Sequence, residues 1–166
     1  MAKGVLWVSS RVTQPEKLSD DKFCEWYEDT HIPEVLALPG IPSAVRFEAL
    51  TPQPSKETWS SEAPWLTVYE MPDIDYRESA DFKALDGQSE PSKELLEGIF
   101  LNARFDTRFY KEVQCFEPAF ESKGGKRFLI SAALEPPQGA EQDFDDWYRK
   151  EHIPVIAQAP GYVRSR

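Results

Sequence analysis

Residues 23–33 read Phe-Cys-Glu-Trp-Tyr-Glu-Asp-Thr-His-Ile-Pro, and residues 144–154 read Phe-Asp-Asp-Trp-Tyr-Arg-Lys-Glu-His-Ile-Pro. Each stretch runs on to a Pro-Gly pair, at residues 39–40 and 160–161. Over these eighteen positions the two copies share eight residues without a gap, where chance gives about one. Both histidines of the chain, His31 and His152, occupy the same position of the repeat. The repeat therefore predicts the architecture and nominates candidate residues for chemistry.

Composition describes a folded, acidic protein. Hydrophobic residues make up 40% of the chain, and the net charge is −10. Such a charge disfavours nucleic acid and anionic membrane surfaces as partners, and no apolar run approaches the ~20 residues that span a bilayer. The N-terminus lacks a signal-peptide pattern. Cys24 and Cys115 lack metal-ligand spacing and are interpreted as free thiols. We therefore expect a cytoplasmic protein with no metal site and no cofactor.

The apolar periodicity of the first part predicts the element order βαββαβ, which is the ferredoxin-like order. The fold class is therefore predicted to be α+β, with one complete unit over residues 1–118. The loop between the second and third strands is placed at residues 51–63, which are rich in Pro, Ser and Gln. The predicted strands are Val5–Val12, Ala44–Leu50, Pro64–Met71 and Ala103–Glu117. The predicted helices run from Asp20 to Leu38, from Tyr76 to Leu85 and from Ser92 to Phe100, the last two separated at Asp86-Gly87.

A second, incomplete unit is predicted after a linker at residues 119–126. It spans residues 127–166 and contains a strand over Arg127–Leu134, the repeated helix over Phe144–Ala159, and the start of another strand at Tyr162. Without further strands, the apolar face of the repeated helix is left uncovered. The sequence therefore predicts either a fragment of a chain of about 240 residues or a second chain that covers this face.

The helix of the first copy has one face that is apolar at its start and ionisable at its end. Phe23, Tyr27 and His31 lie at i, i+4 and i+8, on one side of a helix. Pro33 has no N–H and disfavours helical geometry at Ile32, so a kink is predicted there. A histidine at a broken helix end lies near unpaired carbonyl groups, which favour the imidazolium form.

The charges around the two histidines differ. Carboxylates neighbour His31 in sequence, whereas Arg149 and Lys150 precede His152. Nearby carboxylates raise the pKa of an imidazole and nearby cations lower it. We therefore predict that His31 titrates at a higher pH than His152. The carboxylates beside His31 belong to Glu28, Asp29 and Glu34.

The aromatic stripe and the His-Ile-Pro segment each have a structural explanation that competes with a functional one. An aromatic stripe at helical spacing is usually core packing. His-Ile-Pro can also be a hinge at which the imidazole caps a helix end. The joint recurrence of Phe-Trp-Tyr and His-Ile-Pro, while the residues between them change, favours a cavity role for the histidines.

The pattern Trp-Tyr-x-x-x-His-Ile-Pro … Pro-Gly, followed by a strand that carries Arg46 and Phe47, resembles the EthD-like members of the dimeric α+β barrel superfamily. The resemblance covers the chain once fully and once in part. It implies two ferredoxin-like units whose sheets close a barrel, either as a pseudo-dimer within a full chain or as a homodimer. Some such proteins are cofactor-independent oxygenases, decarboxylases, isomerases or polyketide cyclases; others bind haem, and others have no known activity.

The predicted function is that of a cofactor-independent oxygenase (an oxidoreductase) or lyase acting on a small aromatic or polyketide-type compound. His31 is the predicted acid/base, Tyr27 donates a hydrogen bond, and Phe23 and Trp26 wall the pocket. The resemblance adds His152 as a second catalytic residue. It also adds further substrate-binding residues, namely Arg46, Trp147 and Tyr148. The alternative is a non-catalytic barrel that binds a small molecule or serves assembly, and a haem protein is a third possibility.

Overall fold

The computed structural model describes residues 1–85, 90–117 and 128–166 of the 166-residue chain. The chain divides into two compact units, Met1–Lys111 and Glu112–Arg166. The structure is mixed α+β, as the sequence predicts. The predicted linker at residues 119–126 and the predicted break at Asp86-Gly87 lie outside the described residues.

The first unit contains a four-stranded antiparallel sheet with the strand order β2-β3-β1-β4. Each strand overlaps a predicted one, because alternation of apolar and polar residues is a local signal that pairing preserves. The predicted fourth strand is six residues too long and ends at Lys111 instead of Glu117. The strands are β1 Gly4–Val12, β2 Ala44–Glu48, β3 Trp65–Met71 and β4 Ala103–Lys111.

Short helical segments connect these strands. The first begins after Ser19, whose side chain accepts a hydrogen bond from the Lys22 N–H, an N-cap that the sequence indicates. The predicted loop at residues 51–63 contains the one-turn helix α3. The segments are α1 Asp20–Trp26, a π-helical turn Tyr27–His31, α2 Ile32–Leu36, α3 Trp59–Glu62, a 3₁₀ turn Ile74–Glu78, α4 Ala80–Lys83, α5 Lys93–Leu95 and a π-helical turn Leu96–Phe100.

One face of the sheet packs against the helices. The strand register places Leu6 between Tyr69 and Phe109, and all three side chains contribute to a core cluster. A second cluster contains Phe23 and Tyr27 and packs against side chains of β3 and β4. The second cluster carries the first copy of the repeat, so the candidate residues lie directly over the sheet.

The first Pro-Gly pair is explained by close packing. A Cβ atom on Gly40 would lie 2.3 Å from the ring of Tyr76, so no larger residue fits without a shift. Gly40 does not have a positive φ, whereas Gly161 in the second pair has φ of 85°. The two glycines therefore serve different purposes: Gly40 allows contact, and Gly161 allows a left-handed backbone.

The second unit contains α6 Glu141–Trp147, a π-helical turn Tyr148–His152 and α7 Ile153–Ile156. The predicted strand Arg127–Leu134 is wrong: residues 128–134 have no regular secondary structure, and Arg127 lies outside the described residues. Alternation produces a strand only where another strand accepts its backbone hydrogen bonds. The described part of this unit offers one antiparallel bridge, Phe116 with Ser165, and the predicted strand after Gly161 reduces to it.

Across the described residues, every helix is too short or too polar to cross a bilayer.

Candidate functional site

Both histidines end a π-helical turn. The Ile32 N–H donates to the carbonyl of Tyr27, five residues back, and the Ile153 N–H donates to Tyr148 in the same way. The predicted loss of helical geometry at Ile32 is wrong, because its φ of −59° and ψ of −47° are helical. The proline that follows is instead accommodated upstream, where the wider turn shifts the hydrogen-bond register by one residue.

The wider turn brings His31 onto Trp26. In an α-helix of 3.6 residues per turn, side chains five positions apart point about 140° away from each other. Here the two rings stack, with centroids 5.1 Å apart and planes 21° from parallel. The ring of Tyr27 meets His31 nearly edge-on, with centroids 5.1 Å apart. The π-helical turn thus brings three predicted site residues into contact.

The second unit has the same arrangement among its own residues. Trp147 and His152 stack with centroids 4.7 Å apart and planes 27° from parallel, and Tyr148 lies 4.9 Å from His152. Trp147 is 41% exposed. A cleft of about 290 Å³ lies beside this helix, and Phe144 and Tyr148 are among the residues that line it.

His31 is held in its neutral form. Its side chain is 19% exposed, and burial among the rings lowers its pKa from the usual 6.5 to about 4. The prediction of a raised pKa for His31 is therefore wrong. The neighbouring carboxylates of Glu28 and Glu34 are about half exposed, so water screens their charge. The Nδ1 atom of His31 lies 3.9 Å from a carboxylate oxygen of Glu34, too far for a hydrogen bond.

Arg46 connects β2 to the helix above it. Its guanidinium lies 4.6 Å from the ring centre of Tyr27 and 5.9 Å from that of Phe23. The Nη2 atom donates to Cys24 Sγ at 3.2 Å, and Nε lies 3.5 Å from a carboxylate oxygen of Glu28. The side chain is 11% exposed. Arg46 is therefore a buried cation stacked on the aromatic face of the repeat helix.

Two tyrosine hydroxyls are buried beside this cation. Tyr27 and Tyr69 are each 1% exposed, and their hydroxyls lie close to each other and, for Tyr27, to Thr67. No described residue meets either hydroxyl in hydrogen-bond geometry. Burial raises the pKa of both phenols, so both keep their protons at neutral pH.

Sequence reasoning missed Tyr69 and Thr67. Their spacing of two in a strand indicates a shared face. Their meeting with Arg46 depends on the β2–β3 register, in which Arg46 pairs with Thr67 and Ala44 with Tyr69. The alternation of β3 therefore indicates that Thr67 and Tyr69 share a face. Only the pairing of β2 with β3 shows that this face meets Arg46.

Phe23 forms the floor of this region. It is fully buried, with ring centres 5.3 Å from Trp65 and 5.8 Å from Phe105. Trp26 is half-buried and meets Phe100 nearly edge-on at 6.0 Å. Of the predicted wall residues, Phe23 therefore belongs to the core, and Trp26 lies nearer the surface.

Comparison of the chain with protein-family models gave no match, and comparison with curated protein sequences gave none either. Within the described ranges, no group of three or more His, Cys, Asp or Glu side chains is placed to hold a metal ion.

Proposed function

We propose that the protein is an EthD-like enzyme of the dimeric α+β barrel type in the cytoplasm. It acts as a cofactor-independent oxygenase or lyase on a small aromatic or polyketide-type compound. The first unit is proposed to be ferredoxin-like, which the strand order β2-β3-β1-β4 supports. The second histidine segment is proposed to be a second copy of the repeat, which the shared α-helix, π-turn and α-helix order supports.

The observation that carries the proposal is a neutral imidazole stacked on Trp26, with Tyr27 and Arg46 beside it. Because the pKa of His31 is lowered to about 4, its imidazole is an unprotonated proton acceptor at neutral pH. His31 therefore acts as a general base in this proposal. In the second unit, His152, Trp147 and Tyr148 are the proposed counterparts.

A base of low pKa selects its substrates. It removes protons at useful rates only from acidic groups, such as a phenol or a carbon between two carbonyls. These groups are abundant in aromatic and polyketide-type compounds. The proton moves to the imidazole, and the electron pair stays on the ligand as an enolate or phenolate. That pair then expels a leaving group, in a lyase, or reduces dioxygen, in an oxygenase.

The test is turnover of a panel of 1,3-dicarbonyl and polyhydroxylated aromatic compounds, followed by oxygen consumption and product mass. We expect His31→Ala to lower turnover by about 100-fold or more, since a positioned base contributes that much. Glu34→Gln is the matched control, because this exposed carboxylate makes only a 3.9 Å contact to His31. Full activity of His31→Ala would refute the catalytic role. Loss of activity together with a large fall in Tm would indicate a structural one.

The other face of the sheet favours assembly as a second candidate function. Val45, Val68 and Trp7 lie in one row across β2, β3 and β1 on this face. Val45 is 41% exposed and Tyr110, on the same face, 46%. Exposed apolar patches of this kind are typical of interfaces. The occupant proposed is a second copy of the chain, with Val45→Lys expected to convert a dimer into a monomer in light scattering. A wild-type monomer would contradict assembly.

A further inference from the structure

Three of the buried hydrogen-bond donors in the first unit that meet no described acceptor in hydrogen-bond geometry lie close together. They are the hydroxyls of Tyr27 and Tyr69 and the Nη1 group of Arg46, and none has a hydrogen-bond partner among the described residues. The three come from three elements: the π-helical turn, β3 and β2. Because each group by itself destabilises a buried site, their concentration in one place calls for a partner.

The donors converge. Arg46 pairs with Thr67 in the β2–β3 register, and Tyr69 lies two residues further along the same face of β3. Tyr27 covers them from the helix side, with its ring centre 4.6 Å from the guanidinium of Arg46. The hydroxyls of Tyr27 and Tyr69 lie side by side. The guanidinium and the two hydroxyls therefore lie close together between helix and sheet.

The missing partner is an acceptor. A guanidinium has only donors, and the phenols keep their protons because burial raises their pKa. Glu28 approaches the Nε atom of Arg46 from the exposed side and leaves Nη1 unpaired. Donors around a buried cation are best satisfied by an oxygen that carries negative charge.

We propose that Arg46, Tyr27 and Tyr69 bind an anionic oxygen, a carboxylate or a phenolate, of an aromatic ligand. The stacked pair of Trp26 and His31 is in contact with Tyr27 and receives the aromatic part. If the proposed function holds, on which this assignment rests, the substrate is an arene carboxylate or a phenol. The base is then supplied by His31, and the charge that develops on oxygen is stabilised by the three donors.

The test compares 2-naphthoate with its uncharged analogue 2-naphthalenemethanol as probes of the 166-residue protein, by calorimetry. We expect 2-naphthoate to bind at least about tenfold more tightly, since a hydrogen bond to a charged group is worth more than one to a neutral group. Tyr27→Phe and Tyr69→Phe should each lower the affinity for 2-naphthoate by about 10- to 100-fold. Neither change should alter binding of the alcohol by more than a few-fold.

Tyr76→Phe is the matched control. The Tyr76 hydroxyl is also buried and without a described hydrogen-bond partner, but its ring packs over Gly40. Its removal should leave the affinity for 2-naphthoate unchanged. In the ligand-free protein, Tyr69→Phe should keep or raise the Tm, because it removes an unpaired polar group without changing the ring.

Several results would overturn the proposal. They are absent binding of both probes, equal binding of both, and unchanged 2-naphthoate affinity in Tyr69→Phe together with a lowered Tm. The last would mean that the hydroxyls hold only each other or a buried water. Failure of the proposed function looks different: 2-naphthoate binds with the expected preference, yet no compound of the panel is turned over. Turnover of a panel compound without any preference for 2-naphthoate over the alcohol would refute the anion site and leave the proposed function standing.

Discussion

At the scale of single residues, the state of His31 is decided by desolvation. The carboxylates nearest in sequence lie on the exposed side of the turn, while the rings of Trp26 and Tyr27 cover the imidazole. Sequence proximity therefore predicted the wrong direction for the pKa. Trp26, whose ring stacks on the imidazole, lies five positions away, a spacing that an ordinary helix keeps apart.

The lowered pKa of His31 makes stability depend on pH. With a pKa of about 4 in the folded state and 6.5 in the unfolded state, the unfolded chain binds more protons between these values. Stability from this group is therefore complete above pH 6.5 and is lost as pH falls towards 4, by roughly 3 kcal/mol in all.

Urea unfolding of wild type and His31→Gln at a series of pH values measures this contribution. Carboxylates titrate in both proteins, so the difference between the two curves reports His31. We expect the free energy of unfolding of wild type to fall more steeply between pH 6.5 and 4. Parallel curves would show that His31 is solvated in the folded protein.

At the scale of elements, the π-helical turn is the feature that brings the candidate site residues Trp26, Tyr27 and His31 into contact. Pro33 made a disturbance of the helix predictable. The form of this disturbance, a π-helical turn, was not predictable. A helical wheel with 3.6 residues per turn places Tyr27 and His31 on one stripe and Trp26 outside it. A one-residue change in hydrogen-bond register has no signature in residue type.

Substitution of the proline tests the role of the turn. Pro33 lacks an N–H, so Pro33→Ala supplies a donor for the carbonyl of Asp29 and allows an α-helical register in place of the π-helical turn. We expect the helix to persist in circular dichroism while His31, five residues from Trp26, rotates away from it. The pKa of His31 should then rise towards 6.5 as water reaches the ring. Thr30→Ala, a change of an exposed residue that keeps Pro33, is the control, and a pKa that stays near 4 in Pro33→Ala would contradict this role.

At the scale of the whole molecule, the parts that local pattern determines were predictable from sequence. The four strands of the first unit and the two histidine helices are local patterns. The contact of Arg46 with Tyr27 and the burial of Tyr69 depend on strand register, which no single segment specifies. The strand predicted at residues 127–134 failed for the same reason, since a strand exists only with a partner.

The two units differ in strand pairing, and this difference predicts unequal protection of their backbone amides from hydrogen exchange. β1 is hydrogen-bonded on both sides, by β3 and by β4. The described part of the second unit has a single bridge, between Phe116 and Ser165. Hydrogen exchange followed by mass spectrometry should therefore show the slowest exchange in β1 and faster exchange in peptides of residues 128–166. Equal protection of both would contradict this ranking.

We propose that the fold presents a neutral, desolvated imidazole at His31 to a ligand. An NMR titration of His152→Gln tests it most directly, because His31 is then the only histidine in the chain. We predict a midpoint near pH 4, in keeping with burial among the rings. A midpoint at or above 6.5 would contradict the claim, because it would place the imidazole in water or in the field of its neighbouring carboxylates.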